Sequence, residues 1–175
     1  FGQDDLYVEM TFLRTLEVYG LEASIRQAGI DFANSGYPLW HANNEGRTLL
    51  RRGIAPPDSG HPEFNKHADD IDYQIEADYA GLIAPGMPNV AIELGETFGR
   101  LMNYGDGLYG GMFVGCMYAA AFFESDPHRV VEAVAGALEH RRSLARRRKP
   151  PVERRRNRVE IEREISGPPP CTMMG

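Results

Sequence analysis

His67-Ala68-Asp69-Asp70-Ile71-Asp72-Tyr73-Gln74-Ile75-Glu76-Ala77-Asp78-Tyr79-Ala80-Gly81-Leu82 places five carboxylates within the ten residues 69–78. Ile71, Ile75, Tyr79 and Leu82 recur at spacings of four, four and three, so the segment predicts one helix with an apolar stripe. Asp69, Asp72 and Glu76 recur at three and four and line the neighbouring stripe, with Asp70 and Asp78 beside it. Like charges at that spacing each cost a few tenths of a kcal/mol in an isolated helix. Such a segment is either a solvated acidic face or one wall of a cleft built for a metal ion or sugar hydroxyls.

Working outward, the rest of the chain repeats the helical pattern. Leu6, Met10, Leu13, Leu16 and Tyr19 follow Asp4-Asp5 with helical period, and Gly20 supplies a stop. Two aspartates at that position have a structural explanation in capping and the positive end of the helix dipole. Ser24-Ile25-Arg26-Gln27 is a capping box, and Gly36 ends the run that follows it. Tyr37 to Asn44 is a turn, and a short helix after it closes at Gly53. Residues 54–66 show almost no periodicity, and a loop of that length inside a small domain is often functional.

Beyond the acidic stretch, Pro85-Gly86-Met87-Pro88 predicts a turn and Asn89 a cap for a helix through Ala91, Leu94, Phe98 and Leu101. Asn103-Tyr104-Gly105-Asp106-Gly107-Leu108-Tyr109-Gly110-Gly111 is a glycine-rich turn. It either brings backbone N–H groups near a ligand or makes a tight helix–helix connection. A helix from Tyr109 to Glu124 follows, in which Gly111, Gly115 and Ala119 form a stripe of small residues suited to close packing. Asp126 caps a final helix with Pro127 at its first position, carrying Val130, Val131, Val134 and Leu138. No segment alternates long enough to predict a strand. The fold class expected is all-α, an orthogonal multi-helix bundle.

Charge divides the chain. Residues 1–140 hold 8 Lys and Arg against 21 Asp and Glu, whereas residues 141–175 hold 11 against 4. The expected organisation is a helical domain over 1–140 and a basic, Pro-ending tail over 141–175 that is disordered or the product of out-of-frame translation. The tail has no aromatic residues for base stacking, so nucleic acid is an expected partner only if the tail is native. The uncharged run Leu108–Phe123 falls short of the roughly 20 residues that span a bilayer, and no membrane partner is expected. Two cysteines without metal-ligand spacing fit a cytoplasmic setting. The start at Phe1, without an initiator Met, suggests a truncated or processed piece. A zinc site from His61, His67, Asp69 and Asp70 matches no strong template. His41, His128 and His140 read as ordinary surface or loop residues.

Three blocks, in order, resemble one family, the ADP-ribosylglycohydrolases. Gly2-Gln3-Asp4-Asp5-Leu6 at a helix start looks like the family's Thr-Asp-Asp-Thr metal motif. His67 through Gly86 resembles its central active-site segment. Asn103 to Val114, with Met117 to Phe123, resembles the turn and helix that follow. The resemblance covers about residues 1–138 and none of the tail.

It implies an all-α fold incomplete at both ends, a pair of Mg²⁺ ions, and hydrolysis of the glycosidic bond of ADP-ribosylated protein side chains or related ADP-ribose conjugates. By the same resemblance, Asp4 and Asp5 hold metal, Asp5, Asp70 and Asp72 are catalytic, and Glu76, Asn103, Tyr104, Gly105, Asp106, Gly107 and Tyr109 meet substrate. Neighbouring aspartates suit Mg²⁺, which prefers hard oxygen ligands and retains several waters. Glycoside cleavage needs a carboxylate to activate water or assist the leaving group.

The chain departs from the family at Gln3 and Leu6, where threonines are usual, and at Asn103, where many members have His. It also lacks the late Asp-x-Asp-Thr motif and the family's opening helix. The isolated 175-residue chain is therefore expected to be inactive or weak. A non-catalytic ADP-ribose or nucleotide-binding module is the alternative.

Overall fold

The computed structural model describes residues 3–147, an all-α multi-helix bundle with no strand among the described residues. The helices are α1 (Asp4–Tyr19), α2 (Ile25–Asn34), α3 (His41–Arg51), α4 (Asp72–Glu76), α5 (Asp78–Leu82), α6 (Pro88–Phe98), α7 (Gly105–Ala121) and α8 (Pro127–Arg147). Single 3-10 turns lie at Asp58–Gly60 and Gly99–Leu101. The compact unit closes at His140, and α8 continues as helix to Arg147, past the change in composition. The rest of the basic tail, 148–175, lies outside the described residues. No described helix is long and apolar enough to cross a membrane.

α7 packs against α4, α5 and α6, while α1, α2 and α3 pack on one another and on α4 and α6. The small residues of α7 permit its close packing. A Cβ on Gly111 would lie 2.2 Å from Cδ1 of Tyr73, and one on Gly81 in α5 would lie 2.2 Å from the carbonyl oxygen of Gly115. The stripe of small residues is thus a packing surface against α4 and α5, and α7 begins four residues before Tyr109.

On the other side of the core, Phe12 of α1 meets Phe32, Tyr79 and Phe98 at centroid distances of 6.1, 5.6 and 4.8 Å. Phe12 therefore sets which face of α1 is inside. Val8, Phe12 and Thr15 are buried, while Leu6, Met10 and Tyr19, from the expected stripe, are exposed. Thr15 is held by its hydroxyl, which donates to Asp31 Oδ2 at 2.8 Å.

The quoted acidic stretch departs furthest from its pattern. It is not one helix: residues 67–71 are turns, and α4 and α5 break at Ala77. Of its expected apolar stripe only Tyr79 is buried. Ile71 (59 % exposed), Ile75 and Leu82 face outward, while Asp72, Tyr73, Glu76, Ala77, Tyr79, Ala80 and Gly81 are buried. The α7 glycines take Tyr73, Ala77 and Ala80 at contact distance, and Asn43 of α3 receives Asp72 and Glu76.

Local signals elsewhere behave as their chemistry dictates. The Ser24 box closes in both directions, with Gln27 N–H to Ser24 Oγ at 3.2 Å and Ser24 N–H to Gln27 Oε1 at 2.8 Å. Asp126 Oδ1 accepts the His128 N–H at 2.9 Å. Asn89 is not a cap: Pro88 already occupies the first position of α6, behind Met87.

A buried carboxylate site between two helix starts

The first turn of α3 meets both ends of the short helix α4 at Asn43, Asp72 and Glu76. The Asn43 backbone N–H donates to Asp72 Oδ1 at 3.0 Å, and the Asn43 side-chain amide donates to Glu76 Oε1. Asn43 and Glu76 are fully buried and Asp72 is 4 % exposed. One oxygen on each of the three, Asp72 Oδ2, Glu76 Oε2 and Asn43 Oδ1, is buried without a hydrogen-bond partner. Such an acceptor costs about 1–3 kcal/mol, so this arrangement is not explained by stability.

Electrostatics ties the start of α1 to the same place. Burial pushes the Glu76 carboxyl well above the usual carboxylate range; the Asn43 amide opposes the shift, and the charges of Asp72, Asp4 and Glu9 reinforce it. Asp72 is also raised by burial, against the lowering effect of the Asn43 and Ala42 N–H groups and of His41. Glu9 is pushed up to about 7 by burial, by the charge of Asp78 and a hydrogen bond with it, and by the charge of Asp5. α1 packs on α4, so Asp4, Asp5, Glu9, Asp72, Glu76 and Asp78 share one electrostatic neighbourhood. Asp4 and Asp5 lie in the first turn of α1, half-buried, behind Gln3, whose side chain makes no capping bond. Two half-exposed carboxylates beside further carboxylates are a donor set that suits Mg²⁺.

Asp70 lies just outside the buried pair. Its Oδ2 is 2.7 Å from His67 Nδ1, and the His67 ring stacks on His41 at 5.6 Å between centroids. His41 has a backbone φ of +42°, an uncommon conformation for a residue with a side chain. Among the described residues, the histidine and carboxylate atoms that come within reach of one ion belong to His41, Asp70 and Asp72, within 4.8 Å of one another. His61 instead meets the edge of the Tyr104 ring.

The glycine-rich turn is placed against this segment and holds it. Asn103, fully buried, accepts the Tyr73 N–H at 3.0 Å and donates to the carbonyls of Ala68 and Asp70, each at 2.8 Å. The Tyr104 N–H adds a bond to Ala68 at 2.9 Å. A Cβ on Gly107 would come within 2.8 Å of the Asp70 carbonyl, and one on Gly105 (φ +54°) within 2.7 Å of Asp69 Oδ1. The amide of Asn103 is thus occupied by backbone, and its action on the site is to position residues 68–73. Tyr104 is half-buried beneath Arg100, Tyr109 is half-buried against the core, and Asp106 is exposed.

The sequence reading missed Asn43 and Asn65. Asn65 donates to the carbonyls of Ala42, Ser59 and Met102 at 3.2, 3.2 and 3.0 Å, and its Oδ1 accepts the His67 N–H at 3.0 Å. It joins the long loop, α3 and the turn before α7. The one local signal was Asn43-Asn44 inside a helix, where amides compete with the backbone and need a reason to be present. Comparison with family models, with curated proteins and with solved structures returned no match for this chain.

Proposed function

We propose that this chain carries the ribose-facing part of a Mg²⁺-dependent hydrolase acting on the glycosidic bond of ADP-ribosylated protein side chains or related ADP-ribose conjugates. The observation that supports this most is the pair Asp72 and Glu76, buried with unpartnered oxygens, with Glu76 in the field of Asp4. Buried carboxyls can share hydrogen bonds with sugar hydroxyls, and one whose affinity for protons is raised by burial can take part in acid–base chemistry. Asp4 and Asp5 are the residues that would hold Mg²⁺, which supplies charge to orient ribose oxygens and water. Asp5, Asp70 and Asp72 are the catalytic candidates. Asn103, Gly105 and Gly107 fix the segment that carries two of them, and Tyr104, Asp106 and Tyr109 border the same turn.

Titration calorimetry of the full chain with ADP-ribose, with and without Mg²⁺, tests the reading. Binding that strengthens with Mg²⁺ and is lost in Asp5→Asn and Asp72→Asn supports it. Absence of ADP-ribose binding under both conditions sinks it. Gln3 at the position of the family's threonine favours a second reading, a non-catalytic ADP-ribose or nucleotide-binding module, and metal-independent binding without turnover would select that one.

A further inference from the structure

We propose that His41, Asp70 and Asp72 form a binding site for a single divalent transition-metal ion of the Zn²⁺ or Mn²⁺ class, chemically separate from the all-oxygen pair Asp4 and Asp5. The inference rests on geometry and holds whether or not the glycosidase reading does.

α3 brings His41 across about thirty residues of chain to Asp70 and Asp72, and the three deliver one donor atom each to a region in which all pairs lie within 4.8 Å. Around an ion at about 2.0–2.1 Å from each ligand in tetrahedral geometry, ligand atoms stand roughly 3.4 Å apart. Asp72 is the inner ligand: it is 4 % exposed, and Oδ2 has no hydrogen-bond partner. A cation at this point gives that carboxylate the partner the protein does not supply.

The outer ligands are pre-oriented. Asp70 Oδ2 is engaged by His67 Nδ1 at 2.7 Å, which fixes the carboxylate plane and leaves the other oxygen for an ion, the arrangement by which second partners orient metal ligands. His41 is exposed and stacked on His67, so the ring is held while the site stays open to solvent. The imidazole decides the class of ion. Mg²⁺ rarely takes nitrogen, whereas Zn²⁺ and Mn²⁺ accept a mixed nitrogen and oxygen set, and Zn²⁺ binds such sets more tightly. Three protein ligands leave at least one position for water or a substrate oxygen.

The test uses the untagged 175-residue chain, stripped with chelator and titrated with Zn²⁺, Mn²⁺ and Mg²⁺ by calorimetry, followed by X-ray absorption on the Zn²⁺-loaded protein. One Zn²⁺ per chain is expected, bound roughly tenfold or more tighter than Mg²⁺, with an absorption spectrum containing one imidazole nitrogen. His41→Gly accepts the positive φ without strain, and it should weaken Zn²⁺ roughly tenfold or more while leaving Mg²⁺ within about twofold. Zn²⁺ binding should survive the double change Asp4→Asn, Asp5→Asn. Absence of saturable Zn²⁺ binding, a spectrum without imidazole, equal affinity in His41→Gly, or loss of Zn²⁺ in the Asp4, Asp5 variant overturns the proposal. The spectrum is read on the unaltered chain, so a variant that fails to fold does not shield the idea. ADP-ribose plays no part in any readout.

Discussion

Gly81→Ala puts a methyl group where α5 touches α7 backbone to backbone. Its Cβ would lie 2.2 Å from the Gly115 carbonyl oxygen, 2.5 Å from Tyr118 Cβ and 2.7 Å from the Ala119 nitrogen. Ordinary contact begins near 3.4 Å, so the two helices must part by about 1.2 Å. None of the three obstacles is the end of a flexible side chain, and separation also loosens Tyr73 on Gly111 and Ala77 on Gly115. Overpacking of this kind costs about 1–3 kcal/mol, and rigid neighbours on every side place it at the upper end. Alanine returns about 1 kcal/mol through its better helix propensity.

The net loss is about 2 kcal/mol, which lowers Tm by roughly 6 °C in a domain of this size. Gly136→Ala is the control: nothing lies within 4 Å of its Cβ, so propensity acts alone and the variant gains about 0.5–1 kcal/mol. Urea and thermal denaturation of both variants measure the difference. Gly81→Ala melting at or above the parent would show that α5 and α7 do not meet through their glycines, and the account of the core would be wrong.

Asn103→Ala strands the Tyr73 N–H and the Asp70 carbonyl and leaves the Ala68 carbonyl with the Tyr104 N–H alone, and it should cost about 2–4 kcal/mol in urea denaturation; a loss under about 0.5 kcal/mol would remove its positioning role. Arg47 is buried, donates to Tyr37 O, Ser35 O and Ser35 Oγ, and lies over the Tyr37 ring. Arg47→Ala should therefore lose about 2–3 kcal/mol by thermal denaturation. Glu9 takes up its proton more readily in the folded chain, with a pKa of about 7 against an ordinary 4.5. Its contribution is fully present in acid and is lost as pH rises from about 4.5 to about 7. Glu9→Gln should flatten that decline and stabilise the chain at pH 8 by about 1 kcal/mol after allowance for solvent screening, which a Tm series from pH 4 to pH 8 would reveal or exclude.

The helical character was open to reading because it is local: the Ser24 box, the Asp126-Pro127 start and the small-residue stripe act within a few residues. The failures share one cause. Which face of α1 and α4 turns inward is decided by partners far along the chain, by Phe32 and Phe98 for Phe12 and by the α7 glycines for Tyr73. Asp72 and Glu76 stood out as an acidic stripe, but their burial did not, since the donor that receives both is Asn43, about thirty residues away. Asn65 and Asn103 left no pattern because an amide that bonds to distant carbonyls has no periodicity to show. His41 read as an ordinary surface or loop residue; it is exposed, and only the fold shows its ring stacked on His67.

The placement of side chains around α4 has an evolutionary consequence. Isoleucines at 71 and 75 stand in water while acids at 72 and 76 stand inside, so this short segment lies far from its own stability optimum. Random mutagenesis selected for heat resistance should accumulate changes here before elsewhere, exchanging the inner acids for neutral side chains and the outer isoleucines for polar ones. Survivors of such a selection would keep the fold and lose whatever the acids are there to hold.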